Sequence, residues 1–266
     1  MKRIHPDLIA PLQRSGLRPL RLAGHALLPI VQGGMGIGVS AHGLAGQVAS
    51  QGGVGTLSAI DLRRHHSDLM ERTRGLGFGA DAKAAIDAAN LEALDREIRA
   101  ARAIAGVRGL LAVNVMRAVS EYAPYVRRAL ESGIDAVVVG AGLPLDLPEL
   151  AADHPQVALV PILSDSRGVQ LVVRKWEKKG RLPDAIVIEH PRLPGGHLGA
   201  AKIADLQDPR FDFDVELPQV LEFFKSSGLE GRIPLIVAGC GLHGLAASRA
   251  ADGQLLRGGE NDVNKS

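Results

Sequence analysis

The chain has 266 residues, 46% hydrophobic and only 3% aromatic, with 31 basic against 29 acidic side chains and a formal charge of +2. That supplies a sizeable core of Val, Ile, Leu and Ala, and it lacks the concentrated positive field that nucleic-acid binding needs. No apolar run approaches the roughly 20 residues of a membrane span, the N-terminal MKRIHPDLIAPLQRSGLRPL lacks the unbroken apolar stretch of a signal peptide, and the lone cysteine, Cys240, forms no internal disulfide, so a cytoplasmic setting is expected.

Short apolar runs recur along the chain, each followed by a glycine-bearing turn and a helical pattern. The first is Leu27 to Val31, broken at Gly33-Gly34 and followed by a helix from about Ala41 to Gln51 with Ser40 as its N-cap. Six more follow: Val54 to Ala59, Leu110 to Met116, Ala136 to Gly142, Ala158 to Ser164, Ala185 to His190 and Ile233 to Gly239. Continuous runs rich in Val and Ile are how strands buried on both faces read. Between them, apolar residues repeat at helical spacing. Leu91, Leu94 and Ile98 share one face; Tyr122, Val126 and Leu130 share another, closed by Gly133. Val169, Val173 and Trp176 precede Gly180, and Leu217, Leu221 and Phe224 precede Gly228.

Strand alternating with helix implies right-handed crossovers and a parallel sheet. Seven such units exceed an ordinary open sheet and point to an α/β fold, a TIM-type (β/α)8 barrel. The eighth strand is missing or degenerate: after Gly239 the only candidate is Gln254-Leu255-Leu256, which is short and unbranched. The expectation is one barrel domain over 1–266 with a divergent tail at 240–266, its open edges favouring poor solubility or a homo-oligomer. Two insertions, at 61–90 after the second run and at 191–216 after the sixth, emerge where barrel enzymes build active sites.

Several residues at that end of the strands could carry chemistry. Gln32-Gly33-Gly34-Met35-Gly36 would let the backbone approach a flat ligand, although a plain tight turn reads the same way. Asn114 interrupts the apolar AVNVM; it is either satisfied by neighbouring backbone or aimed at a ligand in the barrel mouth. His197 stands in PGGHLGA among nine histidines in the chain, and a histidine there suits proton transfer. His65-His66 reads as a solvated pair, Cys240 as merely buried, and no metal-ligand spacing is present.

Taken in order, PIVQGGMG (Pro29 to Gly36), LAGQVASQGGVGTL (Leu44 to Leu57), VNVM (Val113 to Met116), VVVGAGLP (Val137 to Pro144), PGGHLGA (Pro194 to Ala200) and IPLIVAG (Ile233 to Gly239) resemble the FMN-dependent nitronate monooxygenases, formerly 2-nitropropane dioxygenases. The related FMN-dependent enoyl-ACP reductases share the pattern. The resemblance implies FMN at the C-terminal mouth of the barrel, beside Gly34, Met35 and Asn114, with Glu189, Gly195, Gly196 and Gly239 completing the cofactor side. It makes His197 the catalytic group that binds the nitro anion or takes the α-proton; the spacing from Glu189 is one residue longer than in the family. The implied reaction oxidises an alkyl nitronate or nitroalkane with O2 to a carbonyl compound and nitrite. The alternatives are reduction of an enoyl thioester and an inactive remnant of the same family.

The likeness stops after Gly239. The family reads AGG where this chain has Ala238-Gly239-Cys240, and its Gly-Thr phosphate grip after the eighth strand has no counterpart before Ser266. A truncated or frame-shifted C-terminus is the expectation that follows.

Overall fold

The computed structural model describes residues 4–193 and 203–238. It opens with a helix and a hairpin that the sequence reading did not anticipate. Helix α1 (Pro6–Ser15) starts with proline in its first turn and ends at Gly16 in the left-handed region. Strands β1 (Leu20–Leu22) and β2 (His25–Leu27) pair antiparallel around Ala23 and Gly24, both at positive φ (48° and 74°), the twist that two-residue hairpins favour.

The alternating units come next: α2 (His42–Ser50), β3 (Val54–Ser58), α3 (Ser67–Arg72), α4 (Ala80–Ala105), β4 (Leu110–Met116), α5 (Tyr122–Glu131) and β5 (Ala136–Gly140). They continue with α6 (Leu147–Leu150), β6 (Ala158–Leu163), α7 (Ser166–Glu177), β7 (Ile186–Glu189), α8 (Phe213–Ser226) and β8 (Leu235–Ala238). Six strands form one parallel sheet in the order β3-β4-β5-β6-β7-β8. This is an incomplete TIM-type α/β barrel, a curved parallel sheet with helices on its outer side.

Two expectations need correction. The first apolar run is a strand only through one parallel bridge, Val31 to Val54. The 61–90 insertion is also shorter than its sequence suggested, because α4 already begins at Ala80; a 3-10 turn (Leu62–His65) and α3 fill the rest.

Period-two alternation sorts the strand residues onto two faces. Leu57, Leu111, Val113, Val137, Val139, Leu159, Ile186, Ile188, Leu235 and Val237 face the helices. There they meet the predicted helical stripes: Leu94, Ile98, Val126, Val169, Val173, Trp176, Leu217 and Phe224 are all buried. Each such aliphatic side chain contributes about 1.5–3 kcal/mol of burial. The inner face is filled by smaller residues, including Ala112, Ala136, Ala158 and Ala185, and by Leu20, Leu22 and Leu27 of the hairpin. Helix α2 lies so close to β3 that a β-carbon on Gly55 would stand 1.8 Å from the Ala45 carbonyl oxygen.

Side chains finish ladders and cap helices where the backbone stops. Asp135 Oδ2 accepts from Leu111 N–H (2.9 Å), and Asp184 Oδ2 accepts from Leu159 N–H (2.9 Å), each at the start of a strand. Glu97, buried in α4, accepts from the His42 N–H at the start of α2 (2.8 Å). Glu216, buried in α8, accepts from the Ser166 N–H at the start of α7 (2.5 Å). Each glutamate sits on a later helix than the one it caps, and each satisfies a donor that helix geometry leaves orphaned. Ser40 is therefore not the N-cap of α2; the cap position is Ala41, with no side-chain hydrogen bond.

Candidate functional site

The C-terminal ends of the strands present a consistent inner row. Ser58 and Asn114 are register partners on β3 and β4, Met116 pairs with Gly140 of β5, and Glu189 pairs with Ala238 of β8. By alternation from the inner cluster residues Val54, Leu110, Ala136 and Val187, these six positions all face the barrel interior.

The loop after the first run lies across two of them. A β-carbon on Gly34 would meet Asn114 Cβ at 2.5 Å and Cγ at 3.1 Å. One on Gly36 would meet Ile60 Cγ2 at 2.6 Å and stand 3.4 Å from Ser58 Oγ. Only glycine permits so close an approach. Between the two, the Met35 side chain is 44% exposed, with Ile37 and Val39 exposed beside it. Of the residues that the resemblance implies lie on the cofactor side, the structure sets Gly34 against Asn114. The Asn114 amide is half-buried, and among the described residues it has no hydrogen-bond partner. Ser58, which the sequence reading did not single out, is buried beside it; its one signal was the register with Asn114, which requires the fold.

Gln32 holds this loop in place. Its side-chain Oε1 accepts from Thr56 N–H (3.0 Å), and its Nε2 donates to Thr56 C=O (3.1 Å) and to Ser40 Oγ (2.8 Å), with a further contact to Gly33 C=O. Ser40, fully buried, accepts from the Met35 N–H (2.9 Å) and donates to Gly33 C=O (3.2 Å). The Met35 N–H is thereby committed within the protein. Among the described residues, the N–H groups of Gly34 and Gly36 carry no hydrogen bond.

Glu189 ends β7 on the inner face, and among the described residues it has no ion-pair partner. Burial pushes its carboxyl above the ordinary glutamate range. The next residue, His190, is 4% exposed. Its Nδ1 accepts from the Arg192 N–H (3.1 Å), which leaves Nε2 to donate to Asp212 Oδ1 (3.1 Å). Its ring also meets Phe213 edge-on at 5.8 Å. This histidine, read in the sequence only as the end of a strand, ties both flanks of the 191–216 insertion together. His197, Gly195, Gly196, Gly239 and Cys240 lie outside the described residues, as does the tail at 240–266.

The His65-His66 pair is not simply solvated. Buried Glu97 reaches His42 Nδ1 at 2.8 Å and His66 Nε2 at 3.2 Å, while His65 packs over Gly38. Among the described residues, no group of three His, Cys, Asp or Glu side chains is arranged to hold a metal. No helix among them is long and apolar enough to cross a membrane.

The sequence pattern described as nitronate monooxygenase matches residues 21–260. Among solved structures, FabK from Thermotoga maritima is similar, with 18% identity and a TM-score of 0.56, covering 94% of this chain and 59% of that protein. A nitroalkane oxidase from Streptomyces ansochromogenes is similar over 85% of this chain and 60% of its own length, with 19% identity and a TM-score of 0.51. This chain thus spans about three fifths of the length of either protein, and at these identities the likeness is one of fold. No curated protein sequence matches the chain.

Proposed function

We propose, because the chain belongs to the nitronate monooxygenase family, that it is an FMN-dependent oxidoreductase that oxidises alkyl nitronates with O2 to carbonyl compounds and nitrite. One observation carries the reading: Gly34 is packed on Asn114, whose amide faces the barrel mouth without a partner among the described residues. The residues present suit a flat, polar-edged ring. Glycine backbone gives a shallow floor, free N–H groups at Gly34 and Gly36 and the Asn114 amide offer hydrogen bonds, and exposed Met35 supplies an apolar face. When bound, FMN would supply the redox chemistry.

The chain's own groups then bind, orient and handle protons. Asn114 and the Gly34 N–H would hold the ring edge. Glu189, whose carboxyl burial pushes above the ordinary glutamate range, would lie on the cofactor side of the mouth. His197, on the 191–216 insertion, would bind the nitro group or take the α-proton of a neutral nitroalkane.

Titrating the purified protein with FMN and then measuring O2 uptake and nitrite release with an alkyl nitronate tests the proposal. NAD(P)H oxidation that depends on an enoyl thioester, with no nitrite formed, would instead identify a reductase. Protein that takes up no FMN would point to a catalytically silent relative.

A further inference from the structure

The Gln32 side chain occupies a rung that the backbone would otherwise fill. Along the short parallel pairing of the first run, Val54 N–H donates to Ile30 C=O (2.9 Å) and Gln32 N–H donates to Val54 C=O (2.9 Å). In an uninterrupted parallel ladder the next two bonds would run from Thr56 N–H to the Gln32 carbonyl and from Gly34 N–H to the Thr56 carbonyl. Neither forms. Thr56 gives its N–H to Gln32 Oε1 and receives Nε2 at its carbonyl. The side-chain amide, which has the same donor and acceptor as a peptide, replaces one rung of backbone.

This substitution changes what the loop can do. Thr56 is buried, so its peptide groups need partners. With those needs met by a side chain, the backbone is released one residue early. Gly34 then leaves the sheet edge, lies against Asn114 and keeps its N–H unspent. The third bond of the amide, to Ser40 Oγ, fixes the far end of the same loop through Ser40's bonds to Met35 and Gly33.

We infer that Gln32 is a positioning residue for the ligand in the barrel mouth: by standing in for a strand rung, it frees the Gly34 N–H and sets the Gly34–Gly36 backbone against Asn114 and Ser58. The inference rests on the reading of that mouth as the FMN site. Without the amide, the ladder either extends by one rung, drawing Gly34 away from Asn114, or leaves Thr56 unpaired.

The test compares FMN dissociation constants of the wild-type chain, Gln32→Leu and Gln32→Glu by flavin fluorescence, with amide hydrogen exchange on the FMN-free proteins. Leu217→Ala, in α8, serves as a variant that lowers stability away from the mouth. We expect FMN binding at least tenfold weaker in Gln32→Leu and an unchanged constant in Leu217→Ala at a temperature where both are folded. Equal FMN affinity in Gln32→Leu and wild type would overturn the inference. If Gln32→Leu does not fold, Gln32→Glu decides in the same way, because it keeps the acceptor for Thr56 N–H and loses both donors. Should the wild type bind no FMN, the reading of the site fails, and exchange still decides about the rung. A changed rate at Thr56 or Gly34 in the Gln32 variant supports the substitution, and unchanged rates at both refute it.

Discussion

Asn114 lies directly beneath Gly34: any side chain on Gly34 would begin 2.5 Å from the Asn114 β-carbon. The contact joins the loop after the first apolar run to the end of β4, and it defines the floor of the proposed cofactor site. Gly34→Ala should therefore force the loop off its seat, costing about 1–3 kcal/mol by overpacking and abolishing FMN uptake. Because the clash is with a β-carbon, adding Asn114→Ala should not rescue it, whereas adding Asn114→Gly should restore part of the stability. Thermal melts and FMN titrations of the single and double variants check both statements.

Asn114 itself separates a structural role from a ligand-binding one. An amide satisfied by its neighbours would cost stability on removal, but this one has no partner among the described residues. Asn114→Ala should leave unfolding stability within about 1 kcal/mol of the parent while weakening FMN binding by an order of magnitude. Chemical denaturation of the FMN-free protein and a fluorescence titration measure the two effects separately.

Glu189 makes a prediction about pH. Burial raises its carboxyl pKa in the folded chain, so the folded state binds more protons than the unfolded state between the ordinary glutamate value and the raised one. Stability from this group is full below the unfolded value and is lost as pH rises through the folded one. Glu189→Gln should consequently melt higher than wild type at alkaline pH, with the advantage shrinking towards acid. Melting curves of both proteins from pH 4 to 9 would show it, and parallel curves would contradict it.

The two buried glutamates at helix starts should matter to stability and not to the site. Glu216→Ala leaves the Ser166 N–H of α7 without its acceptor, and Glu97→Ala does the same to His42 N–H of α2. Each should cost about 1–3 kcal/mol. For Glu216→Ala, which acts on the outer layer, FMN affinity should stay unchanged once the protein is folded. Urea unfolding and the FMN titration distinguish the outcomes.

The sequence revealed most where the physics is local and repetitive. Leu110 to Met116 is a strand from its first residue to its last, as a short apolar run interrupted only by Asn114 suggests. The stripes through Val169, Val173 and Trp176 and through Tyr122, Val126 and Leu130 are buried as their spacing required. Gly34 packs on Asn114, 80 positions on, two residues that only the resemblance had put on one side of the mouth. What escaped depends on contacts distant in sequence. Ser40 has the residue type of an N-cap, but its hydroxyl is spent on Gln32, Met35 and Gly33, while α2 is capped by Glu97, 55 positions away. The first run shrinks to a single bridge because a glutamine side chain takes the next rung, which no periodicity reveals. The three-residue strands of the N-terminal hairpin are too short to show alternation, and His190 carried no mark of its Asp212 partner.

The central claim is that this incomplete barrel holds FMN in its mouth. Equilibrating the purified chain with FMN, removing the unbound flavin and recording the visible spectrum tests it most directly. The account predicts a yellow protein with a flavin absorbance shifted from that of free FMN, lost in Gly34→Ala. A colourless protein, its spectrum unchanged across the FMN concentrations that saturate flavoenzymes, would contradict it.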